Sequence, residues 1–175
     1  MKKLILGVIA ATLLLPAAAT AQTADPVASS IRAQYGPVKN NIVAAAEQMP
    51  EELYGFQPTE DVRTFGQLIG HVAFAQFNIC SGLVGQDNPY PGNPEEQLTT
   101  KAELVAVIKQ AFAFCDPAYA GATDATLGDA VSFFGQTAVR HYPLTYALVH
   151  ANEHYGNIVT YMRINGLVPP SSQGR

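Results

Sequence analysis

Apolar residues recur every three or four positions along four stretches of the chain, the pattern of helices with a buried face. The predicted helices cover residues 26–48, 64–84, 100–118 and 142–165. The segments between them are rich in Pro, Gly and Asn and are predicted to be loops, with a brief extended piece at 130–134. This pattern predicts one all-α domain, a four-helix bundle.

Two of the predicted helices begin with a capping box, in which a Thr side chain and a residue three positions on satisfy the first free amides. Thr64 with Gln67 opens the second helix, and Thr100 with Glu103 opens the third. Pro37 lies inside the first predicted helix, where it either kinks the helix or marks its true start.

The N-terminus has the organisation of a secretory signal peptide. Lys2 and Lys3 precede an apolar stretch at 4–15, and an Ala-x-Ala cleavage site ends at Ala21. The apolar stretch is too short to span a bilayer as a helix, which takes about 20 residues. We therefore expect a signal peptide at 1–21, a mature domain at 22–175 and a secreted or periplasmic protein; the alternative is an uncleaved N-terminal anchor.

Charged residues are scarce, at 14% of the chain against about 25% in ordinary soluble domains. The net charge of −4 excludes the basic surface expected of a nucleic-acid-binding protein. The scarcity is greatest in two of the predicted helices. Residues 64–84 contain no charge, and Glu153 and Arg163 are the only charges at 142–165. The second helix is therefore expected to be buried on most sides.

Those two helices also carry three of the four histidines. His150 and His154 are four residues apart, so their rings share one helix face and can bind one divalent ion. His71, in the middle of the second helix, is the best candidate for a third ligand. The alternative for His71 is a neutral ring hydrogen-bonded to a carbonyl or to Gln67. His141, at the start of the fourth helix, is expected to lie on the surface.

The residues from His150 to His154 also match H-x-x-E-H, the motif of inverted zinc proteases. Such enzymes need a further carboxylate ligand downstream, and residues 155–175 contain no Asp or Glu. The match is therefore interpreted as accidental. Glu153 stays a candidate catalytic base or ligand-orienting residue, with a solvated surface acid as the alternative.

Three segments together resemble the DinB-like family. The chain from His150 through Gly156-Asn157 to Pro169-Pro170-Ser171 is similar to the family's last helix and tail. The segment TFGQLIGHVA, at residues 64–73, resembles the family's second helix, which carries the first histidine. The segment from Glu47 to Pro58 is similar to the exit from its first helix.

This resemblance implies an up-down-down-up four-helix bundle with a divalent metal held by His71, His150 and His154. The family suggests zinc or nickel, and imidazole ligands suit both. Relatives include thiol-dependent transferases and isomerases, while exported members mostly have no assigned reaction. An exported location argues against a cytosolic thiol cofactor for this chain.

Three protein ligands leave a position open, as catalytic metal sites do. Helical spacing puts four polar residues on the ligand faces, where they are expected to line the pocket or support the ligands. These residues are Gln67, Asn78, Tyr146 and Asn157. The alternative is that they are core polar residues bonded to one another.

Cys80 and Cys115 lie 16 and 15 residues after the starts of their helices. If those helices run parallel, as the family topology implies, both sulfur atoms lie at the same height along the bundle. In an oxidising compartment we predict a disulfide between them; the alternative is two buried apolar thiols.

Two functions follow from these expectations. The first is an exported metal-dependent enzyme, a hydrolase or a thiol-linked transferase acting on a small molecule. The second is a non-catalytic metal-binding or interaction bundle. Neither involves nucleic acid or a stable membrane anchor, and a homodimer is compatible with both.

Overall fold

The computed structural model describes residues 24–174, so the expected signal peptide at 1–21 lies outside the described residues. The described chain is mostly helical, as predicted. Its helices are α1 (Pro26–Gln48), α2 (Phe65–Val84), the single turn α3 (Pro94–Gln97), α4 (Lys101–Ala120) and α5 (His141–Ile164). Two strands, β1 (Ala130–Phe133) and β2 (Gln136–Val139), precede α5, and two 3₁₀ turns lie at Glu51–Leu53 and Pro170–Ser172.

Local hydrogen bonds explain where the helices begin. The Thr64 hydroxyl accepts from the backbone amide of Gln67, and the Gln67 side chain accepts from the Thr64 amide, so the predicted capping box is present. Thr100 and Glu103 form the same box before α4. Pro37 neither starts nor interrupts α1, which runs through it from Pro26.

A short antiparallel hairpin is the main difference from the predicted fold. β1 agrees with the predicted extended piece, but it pairs with β2, which the sequence analysis treated as loop. The turn is made by Phe134 and Gly135 at φ 48° and 77°. Tight hairpins need this left-handed backbone and usually signal it with Asn-Gly or Asp-Gly, which this chain lacks here.

The helix α2 forms the centre of the bundle. It packs on α4 and α5, and 13 of its 20 residues are buried, which explains its lack of charge. Near its start, Gly66 approaches Leu104 of α4, and near its end Cys80 meets Cys115. On its other side Gln76 donates to the backbone oxygen of Ala147 in α5.

The remaining helix, α1, packs on α4 and α5 and closes the core. The Tyr35 ring stacks on the ring of Tyr119, and its hydroxyl bonds to Asp116, which also pairs with Lys39. Within residues 24–174, no helix has the length and apolar character needed to cross a membrane.

Candidate metal centre

Three histidines from two helices converge at the face where α2 meets α5. His150 and His154 are one turn apart on α5, and His71 lies opposite them on α2. The Nε2 atom of His150 is 3.2 Å from Nε2 of His71 and 3.2 Å from Nε2 of His154. The ligand atoms of all three lie within 4.8 Å of one another. The three residues proposed as ligands are therefore brought together.

Hydrogen bonding alone does not account for this triangle. A proton on the His150 Nε2 atom can point at only one of its two neighbours, so the other contact is left without a well-aligned hydrogen bond. A shared cation satisfies all three lone pairs at once. With nitrogen–zinc distances of about 2.0–2.1 Å in a tetrahedral site, adjacent ligand nitrogens lie about 3.3 Å apart. The two separations of 3.2 Å fit that geometry.

Burial keeps the two α5 rings neutral. Burial, together with the neighbouring His154 and His71, lowers the pKa of His150 to about 4. Burial also lowers the pKa of His154, helped by His71. A ring with a lowered pKa is unprotonated at neutral pH and can offer a lone pair to a cation.

The outer nitrogens of the three rings differ in their partners. Nδ1 of His71 lies 2.8 Å from a carboxylate oxygen of Glu95, which is also ion-paired with Arg63. Nδ1 of His154 is 3.5 Å from the Asn157 amide, the outer limit of a hydrogen bond. Nδ1 of His150 is buried with no hydrogen-bond partner among the described residues.

Sequence reasoning missed Glu95 and Arg63. Glu95 lies in the segment 85–98, which was predicted to be a loop and has no helical periodicity. A local signal was present, since Asn93 followed by Pro94 is a typical helix start. Asn93 does cap α3, its side chain accepting from the Glu95 amide. Nothing in the sequence indicated that this turn lies against His71.

An open cavity of about 730 Å³ adjoins His154. Its wall includes His154, the ion pair of Arg63 and Glu95, and Tyr161, whose hydroxyl donates to the Arg63 backbone oxygen at 2.7 Å. The rest of the wall comes mainly from the segment before α2 and from the first turns of that helix. These residues are Pro58, Thr59, Asp61, Val62, Gln67, Leu68 and Asn157.

Of the four residues predicted to line the pocket or support the ligands, two line the cavity, one stacks on a histidine and one lies elsewhere. Gln67 and Asn157 line the cavity, although the Gln67 oxygen is engaged in the helix cap. Tyr146 stacks on His150 with ring centres 6.2 Å apart. Asn78 lies elsewhere, bonded to the Phe74 carbonyl and to Asn88. Seven residues separate it from His71, which is about 10 Å along a helix axis.

The remaining residues singled out from the sequence are two surface residues and the buried cysteine pair. Glu153 is exposed, makes no side-chain hydrogen bond among the described residues and is absent from the cavity wall, so its surroundings match the surface alternative. His141 is exposed, as expected. Cys80 and Cys115 are fully buried and lie at disulfide distance, with Cα atoms 5.3 Å apart.

Fold and site together define a class: a small helical bundle with three converging histidines between two of its helices. Solved structures share the fold. A DinB-like protein from Bacillus cereus ATCC 10987 is 19% identical, with a TM-score of 0.66 over 81% of this chain and 95% of its own. A DinB-like protein from Bacillus subtilis, also 19% identical, has a TM-score of 0.64 over 83% and 99%.

A conserved protein from Enterococcus faecalis has the same fold, with 16% identity and a TM-score of 0.62 over 79% of this chain and 96% of that one. A search of curated proteins found no match. Residues 37–158 match the model of the DinB superfamily, and the chain belongs to that family. The resemblance drawn from the sequence is thereby confirmed.

Proposed function

We propose that this protein binds one divalent metal ion, zinc or nickel, through the Nε2 atoms of His71, His150 and His154. The observation that carries the proposal is the convergence of these atoms, with two separations of 3.2 Å. The neutral state of the two α5 rings supports it, because only an unprotonated imidazole can be a ligand.

We further propose that the protein is a metal-dependent enzyme, a hydrolase or a thiol-linked transferase, acting on a small molecule. The cavity beside His154 has the size of small-molecule sites, which are about 300–1,000 Å³. A divalent ion with three protein ligands supplies Lewis-acid chemistry at its open position. The polar wall, with Arg63 and Asn157, would orient a substrate there.

We also propose that the mature protein lies outside the cytoplasm, after removal of residues 1–21. A buried cysteine pair at disulfide distance supports this location, because disulfides persist in oxidising compartments. We also propose the up-down-down-up order for the four long helices. Its support is that α2 meets α4 start to start and end to end, while His71 and Gln76 meet His150 and Ala147 in reversed order.

Metal analysis of mature protein from its own exported fraction tests the site. We expect about one equivalent of zinc or nickel in the wild type and loss of that metal in His71→Ala, His150→Ala and His154→Ala. His141→Ala is the matched control, since it removes an exposed histidine of the same helix. Full metal content in His71→Ala would contradict the three-histidine site.

A second measurement separates an enzyme from a non-catalytic metal protein. Cobalt in the site gives an absorption spectrum that responds to its ligands, and a small thiol or azide is used as the probe. We expect the probe to change the spectrum, because an open position lies beside an accessible cavity. A spectrum that no probe alters would favour a closed, non-catalytic site.

A further inference from the structure

A carboxylate from outside the four long helices reaches the ring of His71. Glu95 Oε2 lies 2.8 Å from Nδ1 of His71, and Glu95 Oε1 accepts from Nε of Arg63 at 2.6 Å. The Glu95 side chain is 19% exposed, so water competes little for these contacts. The result is a continuous series of hydrogen bonds from Arg63 through Glu95 to the His71 ring, whose Nε2 atom faces His150.

The chemistry of these groups decides which one donates and which one accepts in each of these hydrogen bonds. An ionised carboxylate can only accept, so the His71 Nδ1 atom carries the ring proton. The Nε2 atom then bears the lone pair, and that lone pair faces the other two histidines. Arg63 can only donate, and its hold on the second oxygen keeps the carboxylate turned towards the ring.

The backbone around Glu95 is packed tightly against α2. Asn93 and Pro94 start the turn that carries Glu95, and Pro94 is buried. A Cβ atom at Gly70 would lie 2.7 Å from Glu95 Cα and 2.7 Å from its amide nitrogen. Only glycine at position 70 lets this turn approach so closely, directly beside His71. The position of Glu95 is therefore set by several contacts at once.

We infer that Glu95 and Arg63 are positioning residues, which hold His71 in the Nδ1–H tautomer and raise the affinity of the three-histidine site for a divalent cation. The inference rests on the proposed metal site. Carboxylates that hold ligand histidines in this way typically change metal affinity by about 10- to 100-fold.

Zinc affinity of the mature chain, measured by competition with a chromophoric chelator, is the first test. Glu95→Gln is expected to weaken zinc binding by about 10- to 100-fold, because an amide can donate to Nδ1 and stabilise the other tautomer. Glu95→Asp should recover part of the affinity. The matched control is Glu96→Gln, the same change at the exposed neighbouring residue, with wild-type affinity expected.

The second test reads the tautomer in metal-free protein by nitrogen-15 NMR of the histidine rings. We expect the wild-type His71 proton on Nδ1, a shift towards Nε2–H in Glu95→Gln, and no change in Glu96→Gln. A merely structural role for Glu95 would not move this signal. Gly70→Ala, which displaces the turn without touching the ring, should weaken zinc binding in the same direction.

The outcomes separate this inference from the proposed function. Wild-type affinity and tautomer in Glu95→Gln would overturn the inference and leave the metal site standing. Loss of zinc as complete as in His71→Ala would also overturn it, since Glu95 would then be a ligand. If the wild type bound neither zinc nor nickel, the proposed function and the effect on affinity would both fall.

Discussion

Reduction of the Cys80–Cys115 pair is the perturbation whose effect follows most directly from the structure. The pair joins α2 to α4 at a sequence separation of 35, and both cysteines are fully buried. Reduction removes the covalent link between the two helices, and the two sulfur atoms must then separate to van der Waals contact within the core. The unfolded chain also regains the conformational entropy that the link had removed, and the size of this term can be worked out from the loop length.

Closing a loop of 35 residues removes conformational freedom mainly from the unfolded chain. The chain-entropy relation gives about 3.8 kcal/mol of stabilisation at 25 °C for such a loop. For a domain of 150–250 residues, each kcal/mol changes the melting temperature by about 2–4 °C. We therefore expect reduction to lower the melting temperature by about 8–15 °C.

The assay compares two forms of one polypeptide. Both are unfolded in urea, one is reduced, and both are refolded without oxygen, the reduced form in the presence of a phosphine reductant. Urea unfolding followed by far-ultraviolet circular dichroism then gives the two free energies of unfolding. Cys80→Ala/Cys115→Ala is the control, since the reductant should not change its stability.

Two results would refute this reasoning. Coincident unfolding curves for the oxidised and reduced forms would show that the linkage does not stabilise the fold. Alkylation of both cysteines in unreduced, urea-unfolded protein would show that no disulfide exists. Metal binding at 25 °C should survive reduction, because Cys80 lies nine residues beyond His71 on α2.

Two further predictions concern the packing of the bundle away from the candidate metal centre. Burial and Asp116 raise the pKa of Tyr35 above its ordinary value near 10. The neutral side chain therefore stabilises the fold below pH 10, and that stabilisation is lost as the pH rises further. Tyr35→Phe should lose less stability than the wild type between pH 9 and 11 in chemical unfolding, and an unchanged pH profile would contradict this. A Cβ atom at Gly82 would overlap the Ser132 backbone oxygen, whereas one at Gly156, an exposed position in α5, meets nothing within 4 Å. Gly82→Ala should therefore destabilise the fold by about 1–3 kcal/mol, and Gly156→Ala should stabilise it by about 0.5–1 kcal/mol in thermal unfolding. Equal effects would refute the tight packing of the hairpin on α2.

The helices could be predicted because their signals are local. Thr64 and Thr100 each form a capping box with a residue three positions on, and the absence of charge indicated that α2 is buried on most sides. His150 and His154 were paired by the helical repeat alone. His71 was the best candidate for a third ligand because it lies in the middle of a helix without charge. The family resemblance then placed it with the other two, since no local rule joins residues 79 positions apart.

The hairpin could not be predicted from local signals. The four residues of β2 read Gln-Thr-Ala-Val, which shows no alternation of apolar and polar positions, and three of them are exposed. Its turn places Phe134 in the left-handed region, where an aromatic residue is unusual. The hairpin lacks a turn motif in its sequence, but it packs closely on α2, where Ser132 approaches Gly82.

The scarcity of charge in α2 has a physical explanation that involves the segments on either side of it. A helix buried on most sides cannot hold a carboxylate without a partner, because desolvation is costly. The charges that reach the candidate site come instead from segments flanking α2, as the paired side chains of Arg63 and Glu95. In the proposed site the helices thus supply the histidines, and the flanking segments supply the charges that orient them. Helical periodicity could therefore pair His150 with His154 but could not find Glu95 and Arg63, and we expect changes in these flanking segments to alter the metal affinity of the proposed site.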